Sequence, residues 1–520
     1  MHRQPGKRRK NRHSPQSALS YEAAVSADVI ENINHIKQIL QSPSDLTVRV
    51  FTFGQKKLQC GTVCIDGLSD RSLINDHILQ SIHRLQYSPE LVSTNMTADE
   101  FIVVLENEVL SAHHIEMTSS LDKIIGSVLS GDTVLFVEGS KHALIVESKN
   151  WPRRALEEPS TEALIRGPRD GFTESIETNT ALIRRHLHDP ALRMETMKVG
   201  NRSKKNLVIT YIEGIVHPDL VKEVRRRLES FDMDIAPESG FIEEWIEDSF
   251  LSPFPTLLHT ERPDKTSAAL SQGKVAILLD GSPFVLIAPA TFGNLLQSPE
   301  DYYERWMVGT LLRILRYAAA FCAVFLPGLY IALVSFHPGM IPSKLAFSIA
   351  ATREGLPFPA AIEAIVMITV LEFLREAGIR LPKPIGQTIG IVGGLVIGEA
   401  AVTAGIVSPV MVIVVALTAI ASFAVPAYSI AISFRLIVYG MMLAASIFGL
   451  YGLVLGYIVL NIHLVNLKSF GIPYSTPFAP NLSDDWKDLI LRAPIVTMRK
   501  RPEMMQTKDE QRINNGGSMR

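Results

Sequence analysis

The 520-residue chain is poor in cysteine, with only Cys60, Cys64 and Cys322. Three cysteines cannot build a disulfide framework, and no second ligand pair accompanies the first two as a structural zinc site would need. Cys60 and Cys64 stand four apart in the strand-like LQCGTVCIDG, sharing a face but too far apart to bond. They read as small buried hydrophobes. Phosphate loop, dinucleotide fingerprint, zinc-ligand spacing and nucleophile elbow are all missing. No catalytic residue, metal or cofactor is therefore assigned, and the chain is not expected to be an enzyme. A formal net charge of −2 speaks against a general nucleic-acid surface. Acid is absent from the first twelve residues, where Arg3, Lys7, Arg8, Arg9, Lys10 and Arg12 form a basic tail. Residues 1–20 read as disordered, either lying on anionic lipid or keeping the N-terminus cytoplasmic. No apolar core follows the tail, so it is not a secretory signal.

Charge itself is scarcest between Pro384 and Leu467, where 84 residues carry only Glu399 and Arg435. A bilayer crossing needs about 20 apolar residues, and no soluble core needs so long an unbroken run. The sequence therefore predicts an α+β cytoplasmic N-terminal region of two subdomains, followed by an α-helical multipass membrane domain.

The first subdomain is expected over 21–150. It has a helical pattern over 21–45, the alternating LTVRVFTF with LQCGTVCI as partner, and a hairpin in GDTVLFVEGSKHALIVES. The second is expected over 151–310, with a helix at 174–188, the strand NLVITYIEGIV, and the helix PDLVKEVRRRLESF opened by proline. It closes on the hairpin GKVAILLDGSPFVLIAPATF, turning at Asp280-Gly281-Ser282.

The membrane domain is expected over 311–467, with spans at 317–336, 385–406 and 410–425. The helix at 358–374 is marginally long and carries acid on one side, so it reads as interfacial or re-entrant. The run 430–467 exceeds one ordinary crossing and contains Gly440, Gly449, Gly452 and Gly456; it is one long tilted helix or a tight pair. Lys468, Lys487, Arg492, Arg499, Lys500 and Arg501 make the tail, 468–520, basic and hence cytoplasmic. With both termini inside the count is even: four with an interfacial helix and one long last span, six with both choices reversed.

Gly386, Gly390, Gly394 and Gly398 recur every fourth residue, a small-xxx-small stripe for packing within the subunit or for an oligomer interface. Glu399 follows it inside a span, where a carboxylate must be paired, protonated or facing water. It either pairs with Arg435 or lines a water-filled gate with Thr403 and Ser408. In the soluble region, Arg166 and Arg169 of IRGPRDGF form either a fork for a ligand carboxylate or a salt-bridged interdomain loop.

Several segments together resemble the A subunits of the spore-germination nutrient receptors, the GerA family. They are IRGPRDGFTESIETNTALIRRHL (165–187), SPEDYYERW (298–306), TREGLPFPAAIEAIVM (352–367), the block LREAGIRLPKPIGQTIGIVGGLVIGEAAVTAGIVSPVMVIVVALTAIASF (374–423) and LKSFGIPYSTPFAP (467–480). The resemblance runs from about residue 22 to 500. It implies a multipass protein of the spore inner membrane, acting with a permease-like B subunit and a lipoprotein C subunit. It further implies oligomerisation into a ligand-gated cation channel, or else a non-conducting relay or scaffold. The F protein of the stage-V sporulation A operon, tied to ion or dipicolinate release, shares these blocks. No catalytic residue is transferred.

Overall fold

The structure is a computed structural model that describes residues 24–53, 57–85, 96–112, 114–149, 158–382, 394 and 398–512. The basic tail, Gly386 and Gly390 lie outside them.

The N-terminal half contains the same α+β unit twice. In the first, β1 (Leu46–Phe53) and β2 (Leu58–Ile65) pair antiparallel from Leu46↔Ile65 to Phe53↔Leu58. With β3 (Ile115–Thr118), β4 (Thr133–Val137) and β5 (Ala143–Val146) they make an antiparallel sheet of order β1-β2-β4-β5-β3. Helices α1 (Val29–Leu40) and α4 (Leu121–Leu129) cover one face; the helical stretches α2 (71–84) and α3 (98–109) cover the other. Strands β4 and β5 are buried along their whole length, as a sheet sandwiched between helix layers requires. Cys60 and Cys64 sit under α2 and α3 as buried thiols, and burial pushes them up to about 12 and about 11. They behave as small hydrophobes.

The second unit repeats the order with α5 (Ile176–His186), β6 (Leu192–Val199), β7 (Lys205–Ile212), α6 (Pro218–Glu229), α7 (Ser239–Ile246), β8 (Leu258–Thr260), α8 (Pro263–Ser271), β9 (Val275–Leu279) and β10 (Val285–Ala288). Its sheet runs β6-β7-β9-β10-β8, the same permutation. Local chemistry repeats as well. Before α1, the Asn32 side chain accepts from Ser26 N at 2.8 Å and donates to Ser26 O at 2.6 Å. Before α5, Asn179 does the same with Thr173, at 2.8 and 2.6 Å. Each hairpin turn carries a glycine with positive φ, Gly139 (86°) and Gly281 (83°), whose N–H donates to the chain entering the first helix. These glycines are required, since a side chain is strained at that φ.

The two units are bolted together by buried charge. Arg184 on α5, 1% exposed, grips Asp45 just before β1, with Nη2 donating to Oδ1 at 2.8 Å. Arg193 donates to Leu40 O and Gln41 Oε1, both at 3.1 Å.

The C-terminal half is a helical bundle: α9 (Trp306–Ser335), α10 (Ser343–Arg353), α11 (Ala360–Arg380), α12 (Pro409–Phe423) and α13 (Tyr428–Asn466). Helices α9 and α13 are long and apolar enough to cross a membrane. Of the two readings of the last apolar run, a long tilted helix or a tight pair, the structure has the pair: α13 is a hairpin. Gly449 leaves helical geometry at φ 59°, ψ −137°, and arms 428–448 and 450–466 fold back on each other. A Cβ on Gly452 would stand 2.1 Å from Ala444 O, and one on Gly456 2.5 Å from Met441 Sδ. Glycine at these two crossings is what lets the arms touch.

Helix α11 differs from the expected interfacial helix in where its acids point. Glu363, 1% exposed, and the half-buried Glu372 both face the bundle, so the acidic side is an inner face. The described part of the C-terminal segment packs on the second unit. Met505 enters the core of the second unit, Arg501 Nε donates to Ser271 O at 3.0 Å, and Asp485 accepts from Glu503 N and Met504 N.

Candidate functional site

The two halves meet where the loop between α7 and β8 touches both ends of the hairpin. Ser252 Oγ lies 2.9 Å from His463 Nε2 on the second arm, while Ser433 Oγ on the first arm donates to Pro253 O. Phe254, 1% exposed, packs beside the His463 and Tyr474 rings. The chain leaving α13 then stitches onto the same loop: Phe470 N donates to Asp248 Oδ2 at 2.7 Å and Ser469 Oγ to Thr256 O at 2.6 Å. Arg227 stacks over the Phe470 ring at 4.2 Å. Movement of the second unit is thereby tied to the hairpin.

A second junction fixes the start of α9. Asp301, fully buried, accepts from Arg313 Nε at 2.8 Å and from Arg316 Nη1 at 2.7 Å. Arg313 Nη1 also reaches Asp488 Oδ1 at 2.9 Å, and Tyr302 donates to the same carboxylate at 2.8 Å. Burial, with Asp488 beside it, pushes the Tyr302 hydroxyl far above its ordinary range. Removing one member of such a network would strand a buried charge.

A third network lies at the opposite end of the bundle. The Glu363 carboxylate accepts from Ser408 N, the cap of α12, and from Arg353 Nη1 at 3.0 Å. Tyr330 OH lies 3.2 Å from Ser408 Oγ and 3.4 Å from Arg353. Four helical segments are pinned there.

The residues expected to form a gate separate. Glu399 and Thr403 share one exposed helix face, whereas Ser408 is buried as the α12 cap. Arg435 does not pair with Glu399: its nearest carboxylate is Glu372 at 4.0 Å, and its guanidinium lies over the Tyr428 ring. Among the described residues no ion pair involves Glu399. Among the described residues a Cβ on Gly394 would meet nothing within 4 Å, whereas one on Gly398 would make ordinary contact with Val412 of α12 at 3.7 Å. Arg166 lies 3.8 Å from Glu304 and Arg169 3.0 Å from Glu158, both largely exposed, which is an ion-paired loop.

The networks around Asp301, Glu363 and the α7–β8 loop were not anticipated. For the first two the one sequence signal is charge inside or beside otherwise apolar helices, and nothing local names the partners of any of the three. Among the described residues no three His, Cys, Asp or Glu side chains converge as a metal site.

Residues 34–504 match the family described as Bacillus/Clostridium GerA spore germination protein, and the chain belongs to that family. It is 48% identical over 485 residues to the spore germination protein GerLA of Bacillus cereus, covering 93% of this chain and 97% of that one. It is 44% identical to YfkQ of Bacillus subtilis, described as an uncharacterized membrane protein, covering 92% and 91%. Among solved structures it is similar to the N-terminal domain of the A subunit of the Bacillus megaterium spore germinant receptor GerK3, at 34% identity and a TM-score of 0.40, covering 52% of this chain and 98% of that one.

Proposed function

We propose that the protein is the A-type subunit of a spore germinant receptor and works as an oligomeric, ligand-gated cation channel. In this reading the two α+β units lie in the cytoplasm and the bundle crosses the spore inner membrane beside a permease-like B subunit and a lipoprotein C subunit. Six crossings fit the bundle best. Helices α9, α11 and α12 and the two arms of the hairpin make five; α11 and α12 both start beside the end of α9, so the expected span 385–406, which lies largely outside the described residues, would return the chain between them as the sixth. At 21 residues, α11 is about 31 Å long, enough to cross.

The observation that carries the channel reading is Glu399, a carboxylate on the outside of an apolar bundle with no ion-pair partner among the described residues. Such a group is expensive against lipid and favourable against water. One chain's bundle is filled by Ile331, Ala364, Met411, Met442 and Ala445, so a water path would run between copies, ringed by Glu399. The surface at Gly394, open among the described residues, suits a neighbouring copy. The loop clamped on the hairpin would carry the gating movement.

The test is conductance of the complete receptor reconstituted in lipid, with and without germinant. Glu399→Gln should lower cation conductance and Glu399→Lys should shift selectivity toward anions. A receptor that conducts no cations, or a Glu399→Lys receptor with unchanged selectivity, refutes the reading.

A further inference from the structure

Inside the bundle, α11, α12 and the first arm of α13 surround Glu372, Arg375 and Arg435. Two guanidiniums face one carboxylate, which leaves a net positive charge among Leu371, Val415, Phe434 and Val438. Arg375 holds Glu372 at 3.0 Å. Arg435 stands 4.0 Å from it, beyond hydrogen-bond reach, although its side chain is only 18% exposed. The Nε atoms of both arginines are buried without a hydrogen-bond partner. A buried guanidinium with free N–H groups is strongly disfavoured unless an acceptor arrives.

The surroundings define that acceptor. The Phe423 ring lies 4.8 Å from the Arg375 guanidinium carbon and the Tyr428 ring 5.4 Å from that of Arg435. These rings present their faces to the guanidiniums and supply no lone-pair acceptor to the free Nε donors. Of the nearby hydroxyls, Thr418 donates to Val414 O at 2.8 Å and Ser422 donates to Ala419 O at 2.8 Å while accepting from Arg375 Nη2 at 3.3 Å, which leaves both Nε groups unmet. The void they line is about 20 Å³. That is room for one water-sized occupant, too small for phosphate, an amino acid or a lipid headgroup. We propose that Arg375 and Arg435 bind a single halide-sized monovalent anion, which neutralises the excess charge and bridges α11 to the hairpin.

The full-length protein in detergent tests this. Chloride or bromide is exchanged for gluconate at constant ionic strength, and unfolding is followed by scanning fluorimetry. The site predicts a saturable rise in Tm on the order of 2–4 °C, lost in Arg435→Met and retained in Arg380→Gln, whose exposed pair with Glu376 is separate. Crystals of the unaltered protein soaked in bromide should show anomalous scattering between the two guanidiniums. Equal Tm in all the salts, a halide response that survives Arg435→Met, or no bromide at the site overturns the proposal. If Arg435→Met fails to fold, the salt comparison and the bromide position in the unaltered protein decide it.

Discussion

Alanine at each glycine of the last apolar run tests the hairpin, because the four positions meet different surroundings. At Gly452 a methyl group would sit 2.1 Å from Ala444 O and 2.6 Å from its carbonyl carbon, so the arms must part. Overpacking of this kind costs roughly 1–3 kcal/mol. At Gly449 the methyl meets Phe336 at 2.9 Å, and φ 59° with ψ −137° adds backbone strain of about 1–3 kcal/mol. Gly449→Ala therefore loses roughly 2–6 kcal/mol. Gly456 faces the flexible end of Met441, which can swing aside, so about 1 kcal/mol is expected. Gly440 faces open space, and alanine there should gain about 0.8–1 kcal/mol of helix propensity. Scanning fluorimetry of the detergent-solubilised full-length variants reads these, at roughly 2–4 °C per kcal/mol for a domain of this size. A continuous helix would make Gly440→Ala and Gly452→Ala stabilise alike. That result would refute the hairpin.

Lys274, 3% exposed, donates to Asn294 Oδ1 at 2.6 Å, and burial pulls its pKa down to about 7. Between pH 7 and its unfolded value near 10.5 the unfolded chain binds the extra proton, so stability should rise with pH by up to about 1.4 kcal/mol per unit. Denaturant midpoints at pH 7.5 and 9.5 should show this slope, and Lys274→Met should flatten it. Breaking the Arg184–Asp45 bolt with Arg184→Met should cost about 3–5 kcal/mol, and Arg184→Met with Asp45→Leu should recover most of it in the same denaturation assay.

Much of the α+β half was legible because its signals are local. Alternation marked β1, with β2 as its partner, and the two Gly-Ser turns marked the β4–β5 and β9–β10 hairpins. The duplication was harder to see, since it is preserved in the order of elements and in a few capping residues such as Asn32 and Asn179. In the bundle the composition gave the helices but not their company. Arg435 and Glu399 looked like natural partners only because they are the two charges in one sequence window. The carboxylate nearest Arg435 is Glu372, from outside that window, and even that one stands 4.0 Å away and is held by Arg375. A carboxylate's neighbour in three dimensions has no signature in one.

The two serine contacts of the α7–β8 loop, Ser252 to one arm and Ser433 from the other, have a mechanical consequence. Both feet of the hairpin stand on a single pedestal, so a push from the second unit reaches them in phase. Joined at one base, the arms are held from scissoring, and a tilt or plunge would carry both together like a two-legged piston, with Gly449 as its crown beside Phe336. A pedestal of this kind turns a small rotation of an α+β unit into displacement at the far end of the bundle.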